Sequence, residues 1–311
     1  MRSVALTTFA ADSWRNRDPS ERRQLVNSAF VERTRLDSII VTMNRMRRDF
    51  REKAETKCMV VVGEPGVGKS TLFEHYRDSS RVDEIVSDTG IRRPKPVIYV
   101  QLPSDATVNV CSDAILSAVM GRDLRTNGRS KEGQLESQLR INEVELIILD
   151  DFQHAASKGR EKTKSQTADF VKSITKRSRI PVVMAGLPEL AELIDHNRQL
   201  QTITPYRNAI PRYQFHTDGQ KKAFRNFLQG LDGLLPFDTV SGFKADERSA
   251  AIFLATAGLL RPLKNLIGCA AGMAIEEGAA CVRDRDLRAS WDMGHRDSTS
   301  LTNPFASLAA A

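Results

Sequence analysis

The sequence has 311 residues, with 46 lysines and arginines against 39 aspartates and glutamates, so its net charge is +7 and its pI is near 9.3. A hydrophobic content of 41% is sufficient for a folded core, which excludes a globally disordered chain. No apolar run reaches the ~18 residues of a membrane span, and no secretory signal is visible at the N-terminus.

The cysteines are scattered along the chain, and no two of them form a C-x-x-C pair. They are Cys58, Cys111, Cys269 and Cys281. This spacing argues against a zinc site and against a disulfide scaffold. We therefore expect a cytoplasmic protein with reduced thiols and no membrane partner.

The positive charge is concentrated in two segments. Residues 1–57 contain 13 basic and 8 acidic side chains, and residues 158–179 contain 8 basic and 2 acidic side chains. Two basic segments on a nearly balanced body suggest a polyanionic partner. The alternative is that both segments are solvated helix faces, and charge alone does not separate the two interpretations.

The first predicted element in the chain is a helical lead-in. Residues 1–20 are polar, contain an Asp-Pro-Ser break and are expected to be flexible. Within residues 21–57, apolar side chains such as Leu36, Ile39 and Met43 recur three and four positions apart. This period predicts amphipathic helix up to the first strand.

Strands and helices then alternate up to residue 217. The predicted strands are residues 58–62, 96–102, 146–149 and 180–185, with a last strand near residues 212–215. The predicted helices are residues 69–76, 107–120, 133–142, 161–178 and 188–195. Most of the strands are apolar on both faces, which is typical of a parallel sheet covered on both sides. The alternation therefore predicts an α/β domain over residues 58–217, with a parallel sheet sandwiched by helices.

Beyond residue 218 the pattern contains helices only. They are predicted at residues 219–231, 246–257, 261–277 and 284–291. This indicates a small all-helical domain over residues 218–292. The remaining residues, 293–311, are rich in small side chains and are expected to form a flexible tail.

A phosphate-binding loop follows the first strand. Residues 63–70, Gly-Glu-Pro-Gly-Val-Gly-Lys-Ser, match G-x-x-x-x-G-K-[ST] completely, between a predicted strand and a predicted helix. In such a loop the backbone N–H groups converge on a phosphate, the lysine contacts the β- and γ-phosphates, and the hydroxyl coordinates Mg²⁺. The motif predicts a nucleoside triphosphate and Mg²⁺ as cofactors. The predicted nucleotide-binding residues are Gly63, Glu64, Pro65, Gly66, Val67, Gly68, Lys69, Ser70 and Thr71.

Two aspartates end the strand at residues 146–149. Asp150 should lie beside the phosphate loop and hold Mg²⁺ together with Ser70, largely through water. Asp151 stands where many P-loop ATPases carry a glutamate that polarises the attacking water. Since an aspartate is about one methylene shorter, we predict slow hydrolysis. The alternative for both residues is a cap on the turn between strand and helix.

Several segments in combination resemble the TniB/TnsC-type transposition ATPases of the AAA+ class. The segments are the phosphate loop (Walker A), Leu-Asp-Asp-Phe-Gln-His at 149–154 (Walker B), Asn-Arg-Gln-Leu at 197–200, Leu-Leu-Pro-Phe at 234–237, and Gly-Leu-Leu-Arg at 258–261. The resemblance covers roughly residues 20–290. It implies an AAA+ fold, in which the helical domain forms a lid.

The same resemblance implies a function. Such proteins bind ATP and oligomerise on double-stranded DNA as rings or helical filaments, without sequence specificity. They connect a target-selection protein such as TniQ to a DDE transposase, and they do not cut DNA themselves. A bacterial, nucleoid-associated protein is therefore expected. A helicase loader of the AAA+ class and a nucleotide-gated protein adaptor are the alternatives.

The resemblance also suggests roles for individual residues. Arg261 matches the position that senses the γ-phosphate. Arg207 and Arg212 are both candidates for an arginine finger that acts on a neighbouring subunit, and the spacing favours Arg207. Gly186 stands where many AAA+ proteins carry asparagine or threonine, so we expect no polar side chain at this site to orient water. Together with Asp151, this predicts a slow ATPase that acts as a switch.

The expected DNA contacts follow the Walker B strand. The candidate residues are Lys158, Arg160, Lys162 and Lys164. Residues 122–131 are a second candidate segment. Contacts of this kind would be made to phosphates and would be sensitive to salt. A solvated helix face remains the alternative.

Overall fold

The computed structural model describes residues 14–31, 34–88, 90–104, 107–121, 131–157, 161–295 and 302–308. The chain divides into two compact units. The α/β unit comprises Thr34–Pro211, and the helical unit comprises the residues up to Arg33 together with those from Arg212 onward. The lead-in expected at residues 21–57 is therefore shared between the two units.

The elements follow one another in a mixed order of helices and strands. They are a 3-10 helix (Trp14–Asn16), α1 (Pro19–Ser28), α2 (Thr34–Arg51), β1 (Met59–Val62), α3 (Lys69–Ser79), β2 (Ile85–Ser87), β3 (Gly90–Arg92), β4 (Val97–Gln101), α4 (Val108–Met120), α5 (Lys131–Ile141), β5 (Leu146–Asp150), α6 (Gln153–Ser157), α7 (Glu161–Arg177), β6 (Val182–Gly186), α8 (Glu189–Asp195), α9 (Arg198–Ile203), β7 (Tyr206–Ala209), α10 (Asp218–Leu234), α11 (Asp246–Thr256), α12 (Leu260–Glu276) and α13 (Asp284–Gly294).

The α/β unit is built on a five-stranded parallel sheet in the order β4-β5-β6-β1-β7. β5 and β6 are buried along their whole length, in agreement with their apolar sequences. The register pairs Val62 with Gly186 and Gln101 with Asp150. The carboxyl ends of β1, β4, β5 and β6 therefore meet at one edge of the sheet.

The last strand of the sheet differs from the prediction. We predicted it near residues 212–215, but the structure has β7 at Tyr206–Ala209, paired in parallel with β1. β7 is an edge strand whose residues alternate between half-buried and exposed, so it has no apolar run. Residues 212–215 form no strand, and the backbone N–H of Tyr213 instead donates to the carbonyl of Gly258 at 3.0 Å.

Several short elements were not predicted, among them β2, β3, α6 and α9. β2 and β3 form a small antiparallel hairpin whose residues are mostly exposed, so no apolar face marks them. α9 begins at an Asn197 cap, whose Oδ1 accepts hydrogen bonds from the N–H groups of Gln199 and Leu200 at 3.1 Å. α6 has only five residues, too few for a helical period.

α2 packs on the α/β unit through polar contacts as well as apolar ones. Arg47 forms an ion pair of 2.8 Å with Glu145 and donates to Oγ of Ser80 at 3.0 Å. Tyr76 donates to Oδ1 of Asn44 at 2.8 Å. One arginine of the basic N-terminal segment is therefore bound within the protein.

α1 packs within the helical unit. Arg22 is only 2% exposed, and its Nε and Nη2 donate to the carbonyl oxygen of Pro236 at 3.1 and 2.9 Å. Residues 14–20 were expected to be flexible, yet the N–H of Trp14 donates to Oδ1 of Asp238 at 2.7 Å, and Asp18 caps α1. Residues 1–13 lie outside the described part of the chain.

The core of the helical unit includes part of the expected tail. Phe224, Phe243 and Ile252 are fully buried in it. Phe305, which we expected in a flexible tail over residues 293–311, is 1% exposed and belongs to the same core. Asn303 donates to Oδ1 of Asp292 at 2.8 Å and so holds this segment against α13. A short run with one aromatic anchor has no sequence period, which is why residues 302–308 were assigned to the tail.

In the part of the chain that the structure describes, no single helix is long and apolar enough to cross a membrane. α11 and α12 reach that length and composition only when counted together, and they are bent by 118°.

Candidate nucleotide site

The phosphate loop joins β1 to α3 at the carboxyl edge of the sheet. Gly66 and Gly68 have φ angles of 82° and 92°, a left-handed conformation that favours glycine. Gly63 needs to be small for another reason, because a Cβ there would lie 2.7 Å from the carbonyl oxygen of Ile210. Its N–H donates to the carbonyl of Gly186 at 3.1 Å. The loop is therefore fixed against both strands that flank β1.

Lys69 is the first residue of α3 and is only 7% exposed. Its Nζ donates to the carbonyl oxygens of Gly63 and Glu64, at 2.7 and 3.1 Å. The ammonium is thus held within the curve of the loop, at the positive end of an 11-residue helix. This is the arrangement that a phosphate requires, with a cation and converging N–H groups.

Ser70 brings α3 into contact with β5. Its Oγ donates to Oδ2 of Asp150 at 2.6 Å, and the phenol of Tyr99 donates to the same oxygen at 2.9 Å. The N–H of Asp151 donates to the other oxygen of Asp150, Oδ1, at 2.9 Å. Burial and the neighbouring Asp150 carboxylate raise the pKa of Tyr99, so its phenol stays protonated and remains a donor.

The oxygen atoms of Ser70 and Asp150 fit Mg²⁺. Asp150 is 1% exposed, and its carboxylate is in direct contact with the hydroxyl. Among the described residues, no group of three or more histidine, cysteine, aspartate or glutamate side chains could hold a metal alone. Two hard oxygen ligands at a phosphate loop suit a cation that keeps water and phosphate oxygens as its other ligands.

Asp151 lies one residue beyond β5 in a left-handed conformation, with φ of 54°. Two glutamines bind its carboxylate: Gln101 Nε2 donates to Oδ2 at 3.0 Å, and Gln153 Nε2 donates to Oδ1 at 3.1 Å. Neither glutamine was predicted as a site residue. The available signal was positional, since Gln101 ends β4 beside Asp150 and Gln153 comes directly after the aspartate pair and Phe152.

The surroundings of Gly186 differ from the sequence expectation. Residue 186 itself has no side chain, as expected, but a polar group nevertheless lies beside it. Gln153 Oε1 accepts a hydrogen bond of 3.3 Å from the N–H of Leu187, immediately after Gly186. The carboxamide therefore occupies the space that a side chain at residue 186 would take.

The two candidate arginine fingers lie in different settings. Arg207 is exposed on β7, opposite Val60, and forms an ion pair of 2.6 Å with Asp195. From Val60 to the start of the loop at Gly63 is about 10 Å of strand. Arg212 is exposed at the first residue of the returning helical unit, outside the sheet. β7 carries Arg207 itself, whereas the sequence suggested a strand that began after it.

Arg261 is the second residue of α12 and is exposed. The turn before it requires Gly258, which has φ of 72° and has no room for a Cβ beside the carbonyl oxygen of Tyr213. The predicted helix start is thus present, and the role of Arg261 toward a γ-phosphate stays a prediction.

The candidate DNA residues fall mostly outside the structural description. Lys158 and Arg160 lie outside the described residues, as do residues 122–130. Lys162 and Lys164 lie on α7, whose backbone is described there. Their contact with DNA stays a prediction.

Comparisons with known proteins identify the family and the fold. The profile of the family described as "Bacterial TniB protein" matches residues 22–203. No curated protein sequence matches the chain. The ADP form of the Aeropyrum pernix ORC2 protein superimposes with a TM-score of 0.62 at 13% identity, covering 90% of this chain and 74% of that one.

Two further solved structures are similar. The Aeropyrum pernix ORC1 protein in complex with DNA has a TM-score of 0.59 at 15% identity, covering 88% of this chain and 70% of that one. Drosophila ORC bound to DNA has a TM-score of 0.52 at 13% identity, covering 93% of this chain and 69% of that one. At these identities the likeness concerns the fold, and it confirms the predicted AAA+ P-loop architecture of a parallel sheet flanked by helices.

Proposed function

The chain belongs to the bacterial TniB family, and we propose that it is an ATP-dependent, DNA-binding regulator of transposition. The observation that carries the nucleotide part is the contact between Ser70 and Asp150, at 2.6 Å beside the phosphate loop. Family membership supports the transposition part. That two structures of similar fold were determined with DNA supports DNA as a partner.

In this proposal the loop holds the phosphates of ATP. The backbone N–H groups of the loop after Pro65 and the ammonium of Lys69 bind phosphate oxygens, and Ser70 and Asp150 hold Mg²⁺. When bound, Mg²⁺ neutralises charge on the β- and γ-phosphates. Asp151 accepts a proton from the attacking water, and its two glutamine partners leave each carboxylate oxygen a lone pair for that water.

Assembly on duplex DNA is the second part of the proposal. Subunits form a ring or a helical filament, and Arg207 of one subunit completes the site of its neighbour, so hydrolysis is slow until assembly occurs. Arg261 reports the γ-phosphate to the helical unit. The ATP-bound assembly links a target-selection protein such as TniQ to a DDE transposase, and hydrolysis releases it.

Electron microscopy tests this function most directly. The full chain is imaged with a non-hydrolysable ATP analogue and duplex DNA at low salt, with Lys69→Ala as the matched control. We expect rings or filaments on DNA for the wild type and none for the variant. Monomers alone in both samples would contradict the proposal. Oligomers that form but do not bind DNA would favour a nucleotide-gated protein adaptor.

A further inference from the structure

We propose that Gln153 is a positioning residue for ATP hydrolysis and that Gly186 is small in order to admit it. The inference rests on the proposed ATPase function and assigns a role at the same site to Gln153, a residue of the Walker B segment that was not predicted as a site residue. It starts from one contact. A Cβ built on Gly186 would lie far inside van der Waals distance of Gln153 Oε1, and 3.0 Å from Cδ2 of Leu190.

The carboxamide of Gln153 has its orientation fixed at both ends. Its Nε2 donates to Oδ1 of Asp151 at 3.1 Å, and its Oε1 accepts from the N–H of Leu187 at 3.3 Å. Rotating the amide by 180° would place an oxygen against the carboxylate and a donor against the N–H. Only one orientation therefore satisfies both partners.

The backbone around Gln153 supports this bridge. The N–H of Phe152 donates to the carbonyl of Ala185 at 2.9 Å, so the segment after β5 is tied to the end of β6. Asp151 itself has a positive φ of 54°, a conformation that is uncommon for residues other than glycine. Gln153 thus links the carboxylate of Asp151 to the backbone of Leu187, the residue that follows the fully buried strand β6.

Gln153 should affect catalysis by fixing the orientation of the Asp151 carboxylate. Gln101 contacts Oδ2 of Asp151, and Gln153 contacts Oδ1, so the carboxylate plane is held from two sides. A general base works only within hydrogen-bond reach of the water, and a small displacement is costly in rate. Removing Gln153 releases one side of the carboxylate but leaves the phosphate loop intact. Turnover should therefore fall while ATP affinity stays the same.

A substitution at Gly186 tests the same contact independently of any change to Gln153. Its φ is not among the positive glycine angles, so an alanine there meets no backbone strain. The methyl group would meet only the ends of two flexible side chains, Gln153 and Leu190. Gly186→Ala should fold normally and displace the carboxamide. Its effect should vanish when Gln153 has already been removed.

The experiment is a double-mutant cycle of kcat and KM for ATP with duplex DNA present. The variants are the wild type, Gln153→Ala, Gly186→Ala and the double variant, with thermal melting to verify folding. We expect each single variant to lose about ten- to a hundred-fold in kcat with little change in KM. The double variant should be no slower than Gln153→Ala alone.

Two further variants separate positioning from packing. Gln153→Glu keeps the length of the side chain but replaces the donor with an oxygen, so it should lose as much kcat as Gln153→Ala. Gly186→Asn, combined with Gln153→Ala, returns a carboxamide to the same space and should recover part of the loss.

Several results would overturn the inference. A kcat for Gln153→Ala equal to or above the wild type would do so, as would losses that multiply in the double variant. If wild-type hydrolysis is no faster than that of Lys69→Ala, both this inference and the proposed ATPase fail. If the wild type hydrolyses ATP and Gln153→Ala has the same kcat, the proposed ATPase function is retained and only the positioning role of Gln153 is refuted.

Discussion

The hydroxyl of Ser70 and the carboxylate of Asp150 lie 2.6 Å apart, and this contact joins the helix after the phosphate loop to β5, an interior strand of the sheet. The two residues are 80 positions apart in the chain. Their contact depends on the parallel pairing of β1, β6 and β5, which brings the strand ends to one edge. It is the most direct structural sign of a nucleotide site in the protein.

Ser70→Ala should weaken Mg²⁺-dependent nucleotide binding. The variant removes one of two oxygen ligands, so we expect about a ten-fold loss of affinity for ATP with Mg²⁺ and no loss in EDTA. Fluorescent ATP titration under both conditions measures this. Ser79→Ala, at the other end of α3, is the control. Equal losses with and without Mg²⁺ would contradict a ligand role for Ser70.

Asp151→Asn should stop hydrolysis and keep nucleotide binding. Asparagine has nearly the same shape but cannot accept a proton, so we expect kcat to fall by about a hundred-fold or more. The ATP-bound assembly should then persist on DNA, which light scattering over time would follow. An unchanged kcat would remove Asp151 from the mechanism.

Arg207→Ala should lower turnover at saturating ATP by at least about ten-fold without changing nucleotide affinity, as expected of a finger supplied by a neighbour. Because Arg207 pairs with Asp195 in its own chain, Asp195→Ala should leave turnover intact or raise it. Steady-state hydrolysis across a range of protein concentrations measures both. If Arg212→Ala has this effect and Arg207→Ala does not, the finger is Arg212.

Lys162→Ala combined with Lys164→Ala should weaken DNA binding and its dependence on salt. If both side chains contact phosphates, the slope of log affinity against log salt should become shallower by about 2. Fluorescence anisotropy with duplex DNA at several salt concentrations gives the slope. Lys221→Ala combined with Lys222→Ala, on α10, removes the same charge elsewhere. If the two double variants change this slope equally, the effect comes from net charge in general and not from contacts of Lys162 and Lys164.

Phe305→Ala should destabilise the helical unit by about 3–5 kcal/mol, because it removes a fully buried ring from the core. Urea denaturation measures the loss. Leu254→Ala is the control, since Leu254 is 70% exposed on α11 and its removal should change stability by less than about 0.5 kcal/mol. A small effect of Phe305→Ala would mean that residues 302–308 add little to the unit.

The sequence predicts the parts of this protein that follow an apolar period. β1, β4, β5 and β6 are near-continuous apolar runs, and their positions agree with the prediction within about two residues. β7 was not predicted because an edge strand that is half exposed needs no apolar run. The burial of Phe305 was not predicted because a single buried ring produces no apolar period in the sequence.

The candidate site was predictable only where a motif fixes it. The phosphate loop and Asp150 follow from spacing along the chain. By contrast, Gln101 and Tyr99 contact their partners, and Gln153 contacts Leu187, only because strands pair in a particular order. The absence of a side chain at Gly186 suggested a site without a polar group there. The structure supplies one from a residue 33 positions earlier, and no pattern in the sequence links the two positions.

The bond between Arg22 and the carbonyl of Pro236 spans 214 residues. During synthesis the ribosome makes α1 before Pro236, with the whole α/β unit between them. At about 5–20 residues per second, α1 waits roughly 10–40 s before Pro236 is made. The guanidinium therefore lacks this acceptor during that interval, and the contact can form only after translation of the α/β unit is complete. A nascent chain truncated before Pro236 should leave α1 accessible to proteases.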